Sequence, residues 1–318
     1  MSDILIKNAK IVNEGNIFKS DILISGDVIV DIAENILVKD TDILINAENK
    51  LLIPGAIDDQ VHFREPGLTH KATIKSESKA AVAGGITSFI EMPNTLPQTT
   101  TLKELDNKFD LAKKDSFANY SFMFGGTNTN IEEIKKLDNT RVAALKLFLG
   151  SSTGNMLVDN QKVLKEIFES TNLLIAVHSE DEKIINNNLN AFKLKYGNDI
   201  PFEYHPEIRS EEACLKSTKK IIALAKKTNA RLHVFHLSTK SESLLFDNSV
   251  KLKDKKITSE VCVHHLWFSD KDYTKKQSLI KWNPAIKSVE DKNALWNALN
   301  NDRIDIIATD HAPHTIQE

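Results

Sequence analysis

Apolar and polar residues alternate at the start of the chain. ILIKNAKIV, DILISGDVIVDI and DILINAENKLLI read as short strands by that alternation. Ser25-Gly26-Asp27 supplies a tight turn between two of these runs. The first 52 residues therefore predict a small β module, a partial β-sandwich too small to bury a core alone. From Ile53 the rhythm changes. Apolar, β-branched runs now alternate with stretches of helical period.

Eight strands follow from those runs: LIPGAIDDQVHF, ITSFIEMPN, YSFMFGGT, VAALKLFLG, LLIAVHSE, RLHVFHLS, ITSEVCVHH and IDIIATDH. Helices are expected over ATIKSESKAAVAG, TLKELDNKFDLAKK, NIEEIKKL, NQKVLKEIFEST, RSEEACLKSTKKIIALAKKT, SESLLFDN and SVEDKNALWNALNN. Eight strands with helices between them predict an α/β fold, a (β/α)8 barrel over residues 53–318 behind the β module of residues 1–52. An open doubly wound sheet is the competing reading, but it needs a glycine-rich phosphate turn after its first strand, and none is present. Gly84-Gly85 lies between helix and strand and reads as a helix C-cap. Because the chain stops a few residues past the eighth strand, the barrel is expected to lack its last helix and the β module some of its strands.

Composition narrows the function. A net charge of −3 over 318 residues gives no reason to expect nucleic acid or an anionic membrane as partner. Two cysteines, Cys214 and Cys262, rule out a disulfide framework and suit a reducing cytoplasm. No run of about 18 apolar residues occurs, and the first residues carry no basic-then-apolar signal.

The chemistry lies where the strands turn polar. His62, Lys146, His178, His236 and Asp310, with His314 just beyond, sit at the ends of successive strands, which in a barrel converge on one rim. His62, His178, His236 and Asp310 offer imidazole and carboxylate ligands suited to a zinc-like ion with an open position. Any one of them alone would more often be an ordinary rim residue. Lys146 stands in the apolar strand ALKLFLG, where an ammonium is costly unless it is paired, chemically altered or able to reach the rim. One such alteration is carboxylation by carbon dioxide to an anionic, metal-bridging carbamate. Arg64 and Asn94 add a carboxylate-binding fork and an amide donor, and His314 a further donor, suggesting an acidic small-molecule substrate. For Arg64 by itself a structural salt bridge is equally compatible. His205, His233, His264 and His265 fit the pattern less well and are expected to be structural or supporting.

The segments PGAIDDQVHFREPGLTHKA, AAVAGGITSFIEMPNTLP, LKLFLG, AVHSED, PEIRSEEA, LHVFHLST and ATDHAPHT resemble dihydroorotases of the cyclic amidohydrolase superfamily, from about Ile53 to the last residue. FREPG together with MPNT favours that family over hydantoinases and allantoinases. The resemblance implies a zinc enzyme of pyrimidine biosynthesis that reversibly cyclises carbamoyl aspartate to dihydroorotate. It implies two metal positions, one held by His178 and His236 and the other by His62 and Asp310, bridged by carboxylated Lys146. Asp310 would carry the proton. His62, Arg64, Asn94 and His314 would bind substrate, with Asn283 of KWNPAIK on the pyrimidine ring. A homodimer is implied as well.

The family pattern at the first strand is His-x-His, whereas this chain reads Gln60-Val61-His62. An amide oxygen is a poorer zinc ligand than imidazole, so Gln60 is expected to weaken the Asp310 position. Gln60 and the short length would also suit a silent scaffold partnering aspartate transcarbamoylase. Another cyclic amidase would share the metals without needing Arg64 and Asn94.

Overall fold

A computed structural model describes residues 3–37, 40–150 and 156–318. The chain divides into two compact units, Met1–Ala56 and Ile57–Glu318. The division falls a few residues after the change of rhythm at Ile53.

In the first unit β1 (Asp3–Asn13), β2 (Asn16–Ser25), β3 (Val28–Ala33), β4 (Ile43–Asn46) and β5 (Leu51–Leu52) form one sheet. Its order is β3-β2-β1-β4, with β5 beside β1, and only β4 and β5 run parallel to their neighbour. Alternation buries Ala9, Ile11, Ile22 and Ala47 together on one face. Asn8 adopts a left-handed φ of 62° where β1 and β2 slip register, and its amide donates to Asp21 Oδ1 at 2.8 Å. Only a residue that tolerates this conformation fits the bulge.

The second unit is the barrel. Its strands are β6 (Ala56–Val61), β7 (Ile86–Glu91), β8 (Asn119–Phe122), β9 (Phe124–Gly125), β10 (Leu145–Phe148), β11 (Ile175–His178), β12 (Leu232–Val234), β13 (Ile257–Cys262) and β14 (Ile306–Ala308). β8 and β9 are one strand interrupted at Met123, so the ring has eight staves. The pairings from β7 to β8 and from β9 through β14 are all parallel. Val61 bridges His311 in parallel, and His62 N donates to His311 O at 2.7 Å, which closes the ring.

Period-two alternation sorts the side chains. Leu145 and Leu147 of β10, Ile175 and Val177 of β11, and Leu232 and Val234 of β12 join helix residues Ile74, Leu105, Leu164 and Ile221 in the main core. Burying each such side chain contributes about 1.5–3 kcal/mol. The intervening positions face inward: Ala144, Ala176, Phe235, Met92 and Met123 form a separate cluster, and Lys146 takes the same parity in β10.

Most helices lie where the pattern predicts them: Ile74–Ala83, Leu102–Asp115, Gln161–Ser170, Glu211–Thr228 and Val289–Asn300. Thr73, Thr101, Asn160, Ser210 and Ser288 cap them by accepting from backbone amides of the first turn. Three expectations need correction. NIEEIKKL and SESLLFDN hold only the single turns Ile131–Ile134 and Lys240–Ser243. The strand expected through ITSEVCVHH ends at Cys262, and Val263–Trp267 is helical, so His264 and His265 leave the sheet. A helix at Glu182–Tyr196 has no counterpart in the pattern. Its Asn-rich sequence has poor helix propensity and buries only Ile185, while Asp181 caps it. Among the described residues no helix is long and apolar enough to cross a membrane.

Candidate metal and anion site at the strand ends

β11 ends on His178, and His236 follows β12 by two residues with a left-handed φ of 37°. Their Nδ1 and Nε2 atoms lie 3.1 Å apart. The edge of a zinc tetrahedron with Zn–N bonds of about 2.0 Å is about 3.3 Å, so the pair is spaced to share one ion. The far nitrogen of His178 lies 2.9 Å from Glu180 Oε2 and donates to it, leaving the Nδ1 lone pair toward His236. Glu180 is fully buried and also pairs with Arg209. Burial alone would raise its pKa, but the His178 hydrogen bond and the Arg209 charge overcome that and hold it at about 2. His236 is kept neutral by burial, its pKa well below the usual imidazole value. Its Nδ1 is buried with no partner among the described residues.

Lys146 is 1% exposed, with Nζ 3.7 Å from the centre of the Phe235 ring and 4.8 Å from that of Phe148. No described carboxylate lies within ion-pair distance. Burial lowers its pKa to about 7, against the opposing charges of Asp310 and Glu260. Near neutrality a large fraction is therefore the uncharged amine. It does not snorkel to solvent.

On the opposite side of the rim His62 Nε2 lies 3.0 Å from Asp310 Oδ1. That oxygen is buried yet lacks hydrogen-bond geometry to any described partner, so the two donor atoms converge on a point without bonding each other. Asn94 Oδ1 accepts from His62 Nδ1 at 2.8 Å, which leaves the Nε2 lone pair facing Asp310. Asp310 has a φ of 49°, a strained conformation for this residue. Asp58 secures the strand ends beneath, accepting from Thr309 N at 3.1 Å and Thr309 Oγ1 at 2.5 Å. Gln60 is buried, and its Oε1 accepts from Cys262 Sγ at 3.6 Å. The donor set and the orphaned Asp310 Oδ1 fit a divalent cation.

Arg64 follows His62 with a φ of 71° and is 8% exposed. Its Nε donates to Pro313 O at 3.0 Å, and its guanidinium lies 3.1 Å from His314 Nε2. No described carboxylate lies within ion-pair distance, and burial lowers its pKa. A buried guanidinium left without an acid is a ready anion receptor. His314, itself exposed, also approaches Lys71 Nζ at 3.4 Å and Glu318 Oε2 at 3.2 Å. Among the described residues no hydrogen bond or ion pair joins Asn283 to this cluster. It is exposed and lines a cavity of about 330 Å³ with His205, Arg209 and Lys281.

The pattern reading of the strand ends missed Glu180, Arg209 and Glu260. Glu260 accepts from His236 N at 3.2 Å and lies 3.1 Å from His233 Nε2. Glu180 and Arg209 lie within the motifs AVHSED and PEIRSEEA, but only burial separates them from surface charges nearby.

Residues 51–317 match the amidohydrolase family. The dihydroorotase of Methanosarcina acetivorans is 34% identical over 100% of this chain, which spans 69% of that protein. The dihydroorotase of Fusobacterium nucleatum is 33% identical over 99% of this chain and 72% of its own length. Among solved structures, the L-hydantoinase (dihydropyrimidinase) of Arthrobacter aurescens superposes with a TM-score of 0.91 at 26% identity, covering 100% of this chain and 71% of that one. The dihydropyrimidinase of Brevibacillus agri NCHU1002, at 23% identity and a TM-score of 0.87 over 99% of this chain and 69% of its own, shares the fold. Matched over residues 51–317, and 34% identical over its whole length to a dihydroorotase, the chain belongs to the amidohydrolase family.

Proposed function

We propose that this protein is a metal-dependent dihydroorotase, closing N-carbamoyl-L-aspartate to L-dihydroorotate and opening it again. The observation that carries the reading is Arg64, a buried guanidinium with no described carboxylate within ion-pair distance, two residues beyond His62. Zinc would be held by His178, His236 and Lys146 on one side and by His62, Asp310 and Lys146 on the other. When bound, the metal supplies Lewis-acid polarisation of the ring carbonyl and lowers the pKa of water. Lys146 would serve both positions as a carbamate, its neutral amine forming an N–C bond to carbon dioxide and losing one proton to solvent. The pKa of about 7 supports this, since only the uncharged amine is nucleophilic.

The chain's own residues supply position and proton transfer. Arg64 takes the substrate α-carboxylate, and His314 stands against the same guanidinium. Asn94 holds the His62 ring in the tautomer that keeps Nε2 unprotonated. In ring closure the terminal ureido nitrogen bonds the side-chain carboxyl carbon, and one carboxylate oxygen leaves as water with two protons, the one that nitrogen gives up by way of Asp310 and one from solvent. Asp310 Oδ1, buried and without a hydrogen bond, receives the proton that the nitrogen gives up and returns it in ring opening.

The likeness to hydantoinases supports the same ring-amide chemistry on an uncharged ring, which has no carboxylate for Arg64. Purified protein assayed on carbamoyl aspartate, dihydroorotate and an uncharged cyclic amide separates the two. Arg64→Ala is expected to lose about 2–5 kcal/mol in kcat/KM for dihydroorotate, while bound metal stays the same. Wild-type efficiency in Arg64→Ala, or faster turnover of the uncharged ring, overturns the reading.

A further inference from the structure

Cys262 ends β13, and the helical turn that follows returns His264 and His265 beside it. One donor atom from each of the three residues lies within 4.8 Å of the others. All three residues are buried. His265 Nε2 lies 3.1 Å from Pro284 O and donates to it, so Nδ1 carries a lone pair, and that atom is buried with no partner among the described residues. His264 Nε2 is likewise buried and unpartnered, on a ring stacked against Trp282 with centroids 4.2 Å apart and planes 5° apart. Two orphaned imidazole nitrogens on rings beside one thiol are unexplained by packing, because each forgoes a hydrogen bond.

We propose that Cys262, His264 and His265 form a second transition-metal site, distinct from the strand-end ligands, for a borderline ion of the zinc or cobalt(II) class. One sulfur and two imidazoles are a suitable donor set for such an ion, with a fourth position open. His265 has the second partner expected of a metal-bound imidazole, a backbone carbonyl on its far nitrogen. Burial keeps both imidazoles neutral and their lone pairs available. Burial and the carboxylates of Glu260 and Asp310 push the Cys262 thiol up, so thiolate forms here only with a cation beside it, and the same carboxylates attract that cation. Binding breaks the S–H bond, forms a sulfur–metal bond and releases one proton to solvent. A cavity of about 530 Å³ lined by His264, Trp267, Trp282 and Asp310 adjoins the His264 side. The Gln60 amide oxygen, 3.6 Å from the sulfur, is the neighbouring acceptor that the thiol leaves when metal binds.

Cobalt(II) tests this directly, because none of the strand-end ligands is a thiol and the chain has only one other cysteine, Cys214. The full chain is loaded with cobalt(II), its near-ultraviolet spectrum recorded for thiolate-to-cobalt charge transfer, and cobalt counted per chain. Wild type and Cys214→Ser are expected to show the band. Cys262→Ser is expected to lose it, and both Cys262→Ser and His264→Gln to hold about one cobalt fewer. Lys146→Ala is expected to keep the band while losing strand-end metal, so the two sites fail separately. The spectrum of wild type needs no variant to fold. Absence of the band in wild type, its survival in Cys262→Ser, its loss in Lys146→Ala, or equal cobalt in wild type, Cys262→Ser and His264→Gln overturns the proposal.

Discussion

The two sides of the strand-end site are built differently. On the β11–β12 side His178 and His236 are buried, and the residue behind them is a fully buried carboxylate tied to Arg209. On the β6–β14 side His62 is partly exposed, and an amide, Asn94, stands behind it. Gln60, the residue that would complete this side, is engaged with Cys262. A charged acceptor in low dielectric fixes an imidazole more firmly than a neutral one and raises its basicity. On the proposed reading, one side is thus suited to keep an ion, and the other to exchange it and to move a proton.

Removing what both sides share should erase the difference. Lys146→Ala is expected to abolish activity and strip both metal positions, with partial rescue by short carboxylic acids that replace the carbamate. Metal analysis beside the assay checks it, and normal loading would show that Lys146 bridges nothing. The asymmetry itself is tested by the residues standing behind the ligands. Glu180→Gln should weaken metal binding on its side about 10- to 100-fold, and Asn94→Ala should fall at or below the lower end of that range on the other. Glu180→Gln also leaves Arg209 facing a neutral amide, so a stability loss of up to about 3–5 kcal/mol is expected, measurable by urea unfolding. Equal losses of affinity in the two variants would mean that the charge behind His178 does not matter.

The smallest effect should come from Gln60→His. Chelator titration with zinc counting is expected to release the β6–β14 ion first in wild type and later in Gln60→His, with the β11–β12 ion unmoved. The new imidazole must leave Cys262 to reach metal, which limits the gain. Identical release curves would show that residue 60 only bonds its neighbour.

Much of this architecture was readable from periodicity. A strand's period of two and a helix's near 3.6 are local properties, so LLIAVH and ALKLF show which side chains face inward without any knowledge of their neighbours. The same reasoning placed His62, Lys146, His178, His236 and Asp310 on one rim, because parallel strands end together. It failed where local preference was weak or misleading, as in the Asn-rich helix Glu182–Tyr196 and the turn that takes His264 and His265 out of β13.

What the sequence by itself determined is the order of strands and the kind of donor at the end of each. Tertiary structure alone decided the surroundings of those donors: that Asn94 gives its oxygen to His62, that Arg64 has Pro313 and His314 but no described acid within ion-pair distance, that Gln60 meets Cys262, and that Asn283 lies in another cavity. Arg64 and Pro313 are 249 residues apart, and Gln60 and Cys262 are 202 apart. No local pattern links such pairs. Closing the barrel brings them together, and the low dielectric inside then makes each paired or orphaned polar atom count.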